Sequence, residues 1–190
     1  MLVLMGQAKV FDAPQVECRD LAAVYRAHAE AVSRWARRLA GACTDADVED
    51  VVHDVFLVVQ RRLPEFRGDS QITTWLYAVT VHVVQNRRRR ERLRRWLPLG
   101  GPRRDAVAAL GPSPLQAVES RQATELTYRI LDRLSETDRT MLILFELDGL
   151  SGGEIAAITG ISPARIWVRL HRARARFRKV FLELERKERP

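Results

Sequence analysis

Residues 150–179 read LSGGEIAAITGISPARIWVRLHRARARFRK, and the fold is decided here. The stretch reads as two helices joined by a tight turn. Ser151 is placed to cap the first helix, with Glu154 three residues on closing a capping box. Gly160 ends that helix, because glycine readily takes the left-handed conformation of a C-cap. Ser162 then caps a second helix, and Pro163 takes its first position, where a missing N–H costs nothing. Along the second helix Ile166, Leu170, Ala173 and Phe177 form a core-facing stripe at spacings of four, three and four. Ser162, Arg165, Arg169, Arg172 and Arg176 repeat along another face. Ser162 to Lys179 holds seven basic residues and no acidic one. A helix-turn-helix with such a face suits the major groove of DNA.

The charge of the whole chain agrees with that reading. The 190 residues carry a net charge of +8, and 29 of the 32 basic residues are arginine. Guanidinium suits bidentate contacts to phosphate and to base edges better than ammonium does. A polyanionic partner is expected. Nucleic acid is favoured over a membrane surface, because no long apolar helix accompanies the charge. No run approaches the roughly 20 apolar residues of a membrane span, and the N-terminal MLVLM is too short for a signal-peptide core. Cys18 and Cys43 stand in unrelated contexts without a CxxC or Cys/His cluster, so they read as two reduced thiols and no zinc is expected. The expected location is cytoplasmic.

The expected fold is all-α, with two small helical domains joined by a flexible linker, the C-terminal one a helix-turn-helix domain. Residues 1–17 lack periodicity and read as a flexible tail. In 18–96, Leu21, Val24, Tyr25, His28, Val32, Trp35 and Leu39 keep helical spacing until Gly41 stops the helix. The next segment, TDADVEDVVHDVFLVVQRRL (44–63), is rich in valine, but Val48, Val51, Val52, Val55 and Val59 form a helical stripe rather than a strand alternation. Five acids lie between Asp45 and Asp54. The helix dipole accounts for Asp45, Asp47 and Glu49. It accounts less well for Asp54, beyond the first turn, so a protein-docking face and a solvated face both stand.

PEFRGDSQ (64–71) is a loop by composition. The helix after it, ITTWLYAVTVHVVQN, runs into RRRRERLRR (87–95), which holds seven arginines and one glutamate. Arginines beside Trp75, Tyr77, His82, Gln85 and Asn86 suit a single-stranded nucleic acid, with charge for the backbone and flat faces for splayed bases. A solvated helix end and, for the aromatics, plain core positions are the competing readings. Residues 97–116, with four prolines and three glycines, read as the linker. A second domain follows over 117–182, with Ser135 and Asp138 a further capping signature and MLILFEL (141–147) a short buried helix. Residues 183–190 read as a charged, fraying tail.

Catalysis finds little support. The four histidines lie in different segments, there is no nucleophile motif, and GISPAR and FRGDSQ match neither a Walker nor a dinucleotide pattern. No catalytic residue, cofactor or metal is expected, and the chain does not read as an enzyme. A stand-alone helix-turn-helix transcriptional regulator fits the C-terminal half but leaves the N-terminal half unexplained.

ADVEDVVHDVF, then EFRGDSQITTWLY, then LSETDRTMLILFELDGLSGGEIAAITGIS with VRLHRARARFRK together resemble an extracytoplasmic-function (ECF) sigma factor of the sigma-70 family, over residues of about 20 to 180. The resemblance implies an alternative sigma factor, acting as the promoter-specificity subunit of bacterial RNA polymerase. By it, residues 18–96 correspond to sigma region 2 and 117–182 to sigma region 4. Asp47, Asp50, Val51, Asp54, Val55 and Phe56 would dock on the clamp coiled coil of core RNA polymerase, with region 4 reaching the flap. Arg67, Asp69, Ser70, Trp75, Tyr77, His82, Asn86, Arg87 and Arg88 would recognise and hold open the minus-10 element. Ser162, Arg165, Trp167, Arg169, Arg172 and Arg176 would read the minus-35 element of promoter DNA. An anti-sigma factor is a further implied partner. The chain departs from its relatives at three places. His82 replaces a usual asparagine, His53 a usual glutamine, and PARIWVR stands where relatives often have V-G-T-V-K-S-R.

Overall fold

The computed structural model describes residues 20–41, 43–96 and 114–188. The expected tail 1–17, Cys18 and the stretch 97–113 lie outside the described residues. Every regular element among the described residues is helical.

Helix α1 (Leu21–Ala40) starts at Asp20, whose carboxylate accepts from the Ala22 N–H at 3.0 Å. It stops at Gly41, where φ is +85°. Helix α2 (Asp45–Arg62) opens with a capping box of Thr44 and Asp47, the Thr44 and Asp47 N–H groups each donating to the other's side chain at 3.1 Å. A short 3₁₀ turn (Leu63–Glu65) leads to the loop before α3 (Ile72–Trp96). These three helices bury Val24, Val32, Trp35, Leu39, Val48, Val51, Val55, Val59, Leu76 and Tyr77 between them. The valines of α2 therefore sit on a helix because their spacing meets the α1 and α3 faces, which outweighs their preference for strands.

The second unit runs α4 (Pro114–Leu131), α5 (Glu136–Leu142), a π turn (Ile143–Leu147), α6 (Gly152–Thr159) and α7 (Pro163–Glu188). Ser151 and Glu154 form the expected capping box, and Gly160 closes α6 in the left-handed conformation. Ile166, Leu170 and Ala173 of α7 are fully buried. MLILFEL is not one short helix. It begins as α5 and widens into the π turn, with the Asp148 N–H donating to the Ile143 carbonyl at 3.0 Å.

Two expected boundaries move. Helix α4 starts at Pro114, inside the expected linker, because proline is well suited to a first helical turn. Helix α7 runs to Glu188 through the expected fraying tail, since Phe177, Val180, Phe181 and Leu184 continue its apolar stripe and Leu184 is buried. The larger departure concerns the pairing of the two units. They are packed together, and one hydrophobic core runs from Val24 and Tyr77 through Leu131, Met141 and Ile155.

Candidate nucleic-acid interface

Buried Ile166, Leu170 and Ala173 turn the opposite face of α7 outward. Ser162, Arg165, Arg169 and Arg172 are exposed there, and none of these three arginines makes an ion pair among the described residues. The Ser162 carbonyl accepts from the Arg165 and Ile166 N–H groups at 2.9 and 3.3 Å, so Arg165 lies in the first turn. Arg176 differs, because its guanidinium lies 2.5 Å from the buried carboxylate of Asp138. Trp167 is 54% exposed, yet one side of its ring rests on α6. A Cβ at Gly152 would come within 3.3 Å of Trp167 Cζ2, and the ring meets Phe145 edge-on at 5.6 Å. Arg174 lies over that Phe145 ring at 5.1 Å and pairs with Glu146 at 2.6 Å. Trp167 thus couples the position of α7 to α6 while keeping one edge in solvent.

On α2 the expected docking residues separate by depth. Asp50 and Asp54 are exposed, whereas Val51 and Val55 are 1% and 0% exposed and belong to the core. Phe56 is nearly buried and packs against the half-exposed Tyr25 ring at 4.7 Å. Tyr25 and Leu57 are apolar groups beside the acids that remain in contact with solvent. Asp47 is held in the capping box and by Arg87 at 3.3 Å. Cys43, at the start of this segment, is a free and buried thiol raised in pKa by burial.

The loop before α3 projects outward, with Arg67, Asp69 and Ser70 exposed. Gly68 has φ +78° and no neighbour within 4 Å of a would-be Cβ. Phe66 packs against the half-buried Trp75 at 5.2 Å and anchors the loop to α3. Further along α3, the exposed His82 ring lies 2.9 Å from the Asn86 amide. Arg87 spans towards Asp47 and Asp50 of α2 at 3.3 and 3.5 Å.

Two expected minus-10 residues face inward. Tyr77 is fully buried, stacks on Trp35 at 4.6 Å, and donates its hydroxyl to the carboxylate of Asp148 from the second unit. Arg88 is engaged through all three guanidinium nitrogens. Nε donates to Glu136 at 3.0 Å, Nη2 to Asp132 at 2.8 Å, and Nη1 to the Ala40 carbonyl at 2.8 Å.

Around these two residues lies a polar seam between the units that the sequence did not announce. Arg38 joins Tyr77 on Asp148 and also reaches the Leu147 carbonyl. Burial pushes the Asp148 carboxyl up despite both of its donors. Burial and the Asp148 charge together hold the Tyr77 hydroxyl well above its ordinary value. Arg139 of α5, 1% exposed, inserts beneath Gly41 and donates to the Leu39 carbonyl. Burial and the nearby Arg88 charge lower its pKa to about 10. The only local hint was a set of charged residues, Arg139 and Asp148, flanking an apolar run. Their partners in the first unit lie about 70 to 110 positions away, beyond any periodicity.

Among the described residues no group of three or more His, Cys, Asp or Glu is arranged to hold a metal ion. No helix among them is long and apolar enough to cross a membrane.

Comparison with known proteins places both units. Residues 24–94 match the family model for sigma-70 region 2, and residues 124–177 match that for sigma-70 region 4. The chain is 34% identical over 143 residues to the ECF RNA polymerase sigma-E factor of Escherichia coli (strain K12), covering 67% of this chain and 70% of that protein. It is 29% identical over 156 residues to the RNA polymerase sigma factor NccH of Alcaligenes xylosoxydans xylosoxydans, covering 79% and 84%. Among solved structures, the sigma factor RpoE of Bartonella quintana, in complex with the anti-sigma factor NepR, shares the fold with a TM-score of 0.58. That match has 24% identity and covers 80% of this chain and 90% of that one. CnrH, solved with the cytosolic domain of CnrY, gives a TM-score of 0.56 at 21% identity, covering 84% and 86%. A stand-alone regulator would account for one of the two matched regions, whereas both are present in order. The chain belongs to the extracytoplasmic-function sigma factors of the sigma-70 family, alternative sigma factors that direct RNA polymerase to initiate transcription.

Proposed function

We propose that this sigma factor divides promoter recognition between α7 and the 66–71 loop with α3, and docks core polymerase through α2. In this reading Ser162, Arg165, Arg169 and Arg172 face the minus-35 element, with Arg176 and Trp167 setting the pose of α7. The observation that carries the reading is the exposed arginine stripe of α7, backed by a fully buried stripe on the same helix. Such a helix is fixed in orientation while its bidentate donors remain available to base edges.

The loop residues Arg67, Asp69 and Ser70, with His82, Asn86, Arg87 and Arg88, serve the minus-10 element. Trp75 and Tyr77 support that surface from below. Asp50 and Asp54, beside Tyr25 and Phe56, form the docking face on the clamp coiled coil. Val51 and Val55 act there only by shaping the helix, being buried. The domain assignment that goes with this is region 2 over 18–96 and region 4 over 117–182. The protein works in the cytoplasm as a binding and specificity subunit without chemistry of its own. An anti-sigma partner is part of the proposal, since the relatives CnrH and RpoE were solved with CnrY and NepR.

Promoter profiling with reconstituted holoenzyme tests the division. Arg165→Ala and Arg169→Ala are each expected to cost about 1–3 kcal/mol at one or two minus-35 positions. Uniform weakening across all promoters would instead make them phosphate contacts and remove them from base reading.

A further inference from the structure

Val168 stands at the outermost point of α7. At about 100° per residue it lies about 200° round the helix from both Ile166 and Leu170, which are fully buried. It is 52% exposed, a degree of exposure that few large apolar side chains reach among the described residues. Ala164, one turn earlier, and Ala175, two turns later, are exposed on the same line of the helix. Arg165, Arg169 and Arg172 are exposed beside that line. A ridge of small apolar side chains therefore runs along the arginine face.

Nothing in the fold calls for a valine at this point. It fills no core, and a β-branched side chain lowers helix propensity relative to alanine. The neighbouring Trp167 is accounted for, since its ring is held against Gly152 and Phe145. Val168 points away from both. Between Glu154 and Glu183 the chain holds no acidic residue, so the ridge is framed by positive charge and suits a polyanion. The floor of the major groove offers an apolar side chain one partner, the C5 methyl of thymine, while guanine offers two acceptors to an arginine. Cytosine presents an amino donor there, which a valine would desolvate without accepting its hydrogen bond. We propose that Val168 packs on the C5 methyl of a thymine in the minus-35 element, beside a guanine held by Arg165 or Arg169, and so sets a thymine preference at that position. The inference rests on the proposed reading of the minus-35 element by α7.

The test uses holoenzyme reconstituted from core RNA polymerase and the full chain, with duplex promoter fragments taken from the promoter profiling. Each thymine of the minus-35 element, on either strand, is replaced in turn by deoxyuridine, which removes the C5 methyl and keeps the base pair. At one position affinity should fall about fourfold, the equivalent of one methyl group lost from an apolar contact. Val168→Ala should bind the thymine duplex about fourfold more weakly and show no further loss with uracil at that position. Its melting temperature should match the parent, because the side chain is exposed. If no uracil replacement weakens binding by the parent, or if the penalty is equal in both proteins, the inference is overturned. It also fails if Val168→Ala binds promoter normally but core polymerase less well, since the residue would then face protein. Scrambling the whole minus-35 element separates the inference from the reading beneath it. A scrambled element bound as tightly as the original removes the reading by α7, and the inference with it. A penalty for scrambling with none for uracil defeats the inference alone.

Discussion

His28 is fully buried in the first unit, and neither ring nitrogen has a hydrogen-bond partner. Burial lowers its pKa, so the folded protein holds the neutral ring. The contribution to stability is therefore present above the unfolded value near 6.5 and is lost as pH falls through the depressed folded value. Denaturant midpoints should drop between pH 7.5 and pH 5, and His28→Leu should flatten that drop. An equal pH dependence in parent and variant would remove His28 as the cause. At Gly41 two demands coincide, a φ of +85° and Arg139 Nη2 lying 2.7 Å from a would-be Cβ. Gly160 has the first demand alone, with φ +69° and open space around it. Gly160→Ala should cost about 1–2 kcal/mol for the left-handed backbone. Gly41→Ala should cost measurably more in urea denaturation, through displacement of the Arg139 guanidinium. Glycine at both positions was legible from the sequence as a helix stop. The guanidinium beneath Gly41 was not, because Arg139 lies about 100 positions away and no local rule brings an arginine to a helix C-cap in another unit.

Individual helices were the most readable level. The apolar spacing of α1 and its stop at Gly41, the valine stripe of α2, and the capping box and glycine stop of α6 all follow from spacing and capping chemistry that act within one or two turns. What failed had longer-range causes. The tail 183–190 was read from its charge, whereas α7 runs on to Glu188 with Leu184 buried. The π turn at Ile143–Leu147 has no sequence signature, and it aims Asp148 at Tyr77. Helix α2 offers a separation of roles on a single element. Asp54→Ala should weaken core-polymerase binding and leave the melting temperature unchanged, because Asp54 is exposed. Val55→Ala should cost roughly 2 kcal/mol of folding stability through lost burial and a residual cavity. Normal core affinity for Asp54→Ala would return the acidic face of α2 to simple solvation.

For the whole molecule, order of motifs proved more informative than any one of them. The helix-turn-helix alone is shared by many DNA-binding proteins, and family membership emerged from the acidic helix, the 66–71 loop and the basic helix in sequence. The candidate site was legible as three stretches but not as an arrangement. Arg88 and Tyr77 were read as parts of an open surface, and the fold turns both towards the second unit, because the pairing of Asp132, Glu136 and Asp148 with them is set by tertiary packing. The α7 stripe of Arg165, Arg169 and Arg172, by contrast, stands where its periodicity put it. Run-off transcription by purified core RNA polymerase on fragmented host DNA, with and without this chain, tests the central claim most directly. The account predicts transcripts from discrete start sites only when core and chain are both present. Discrete DNA footprints by the chain alone, with no new transcript when core is added, would contradict it.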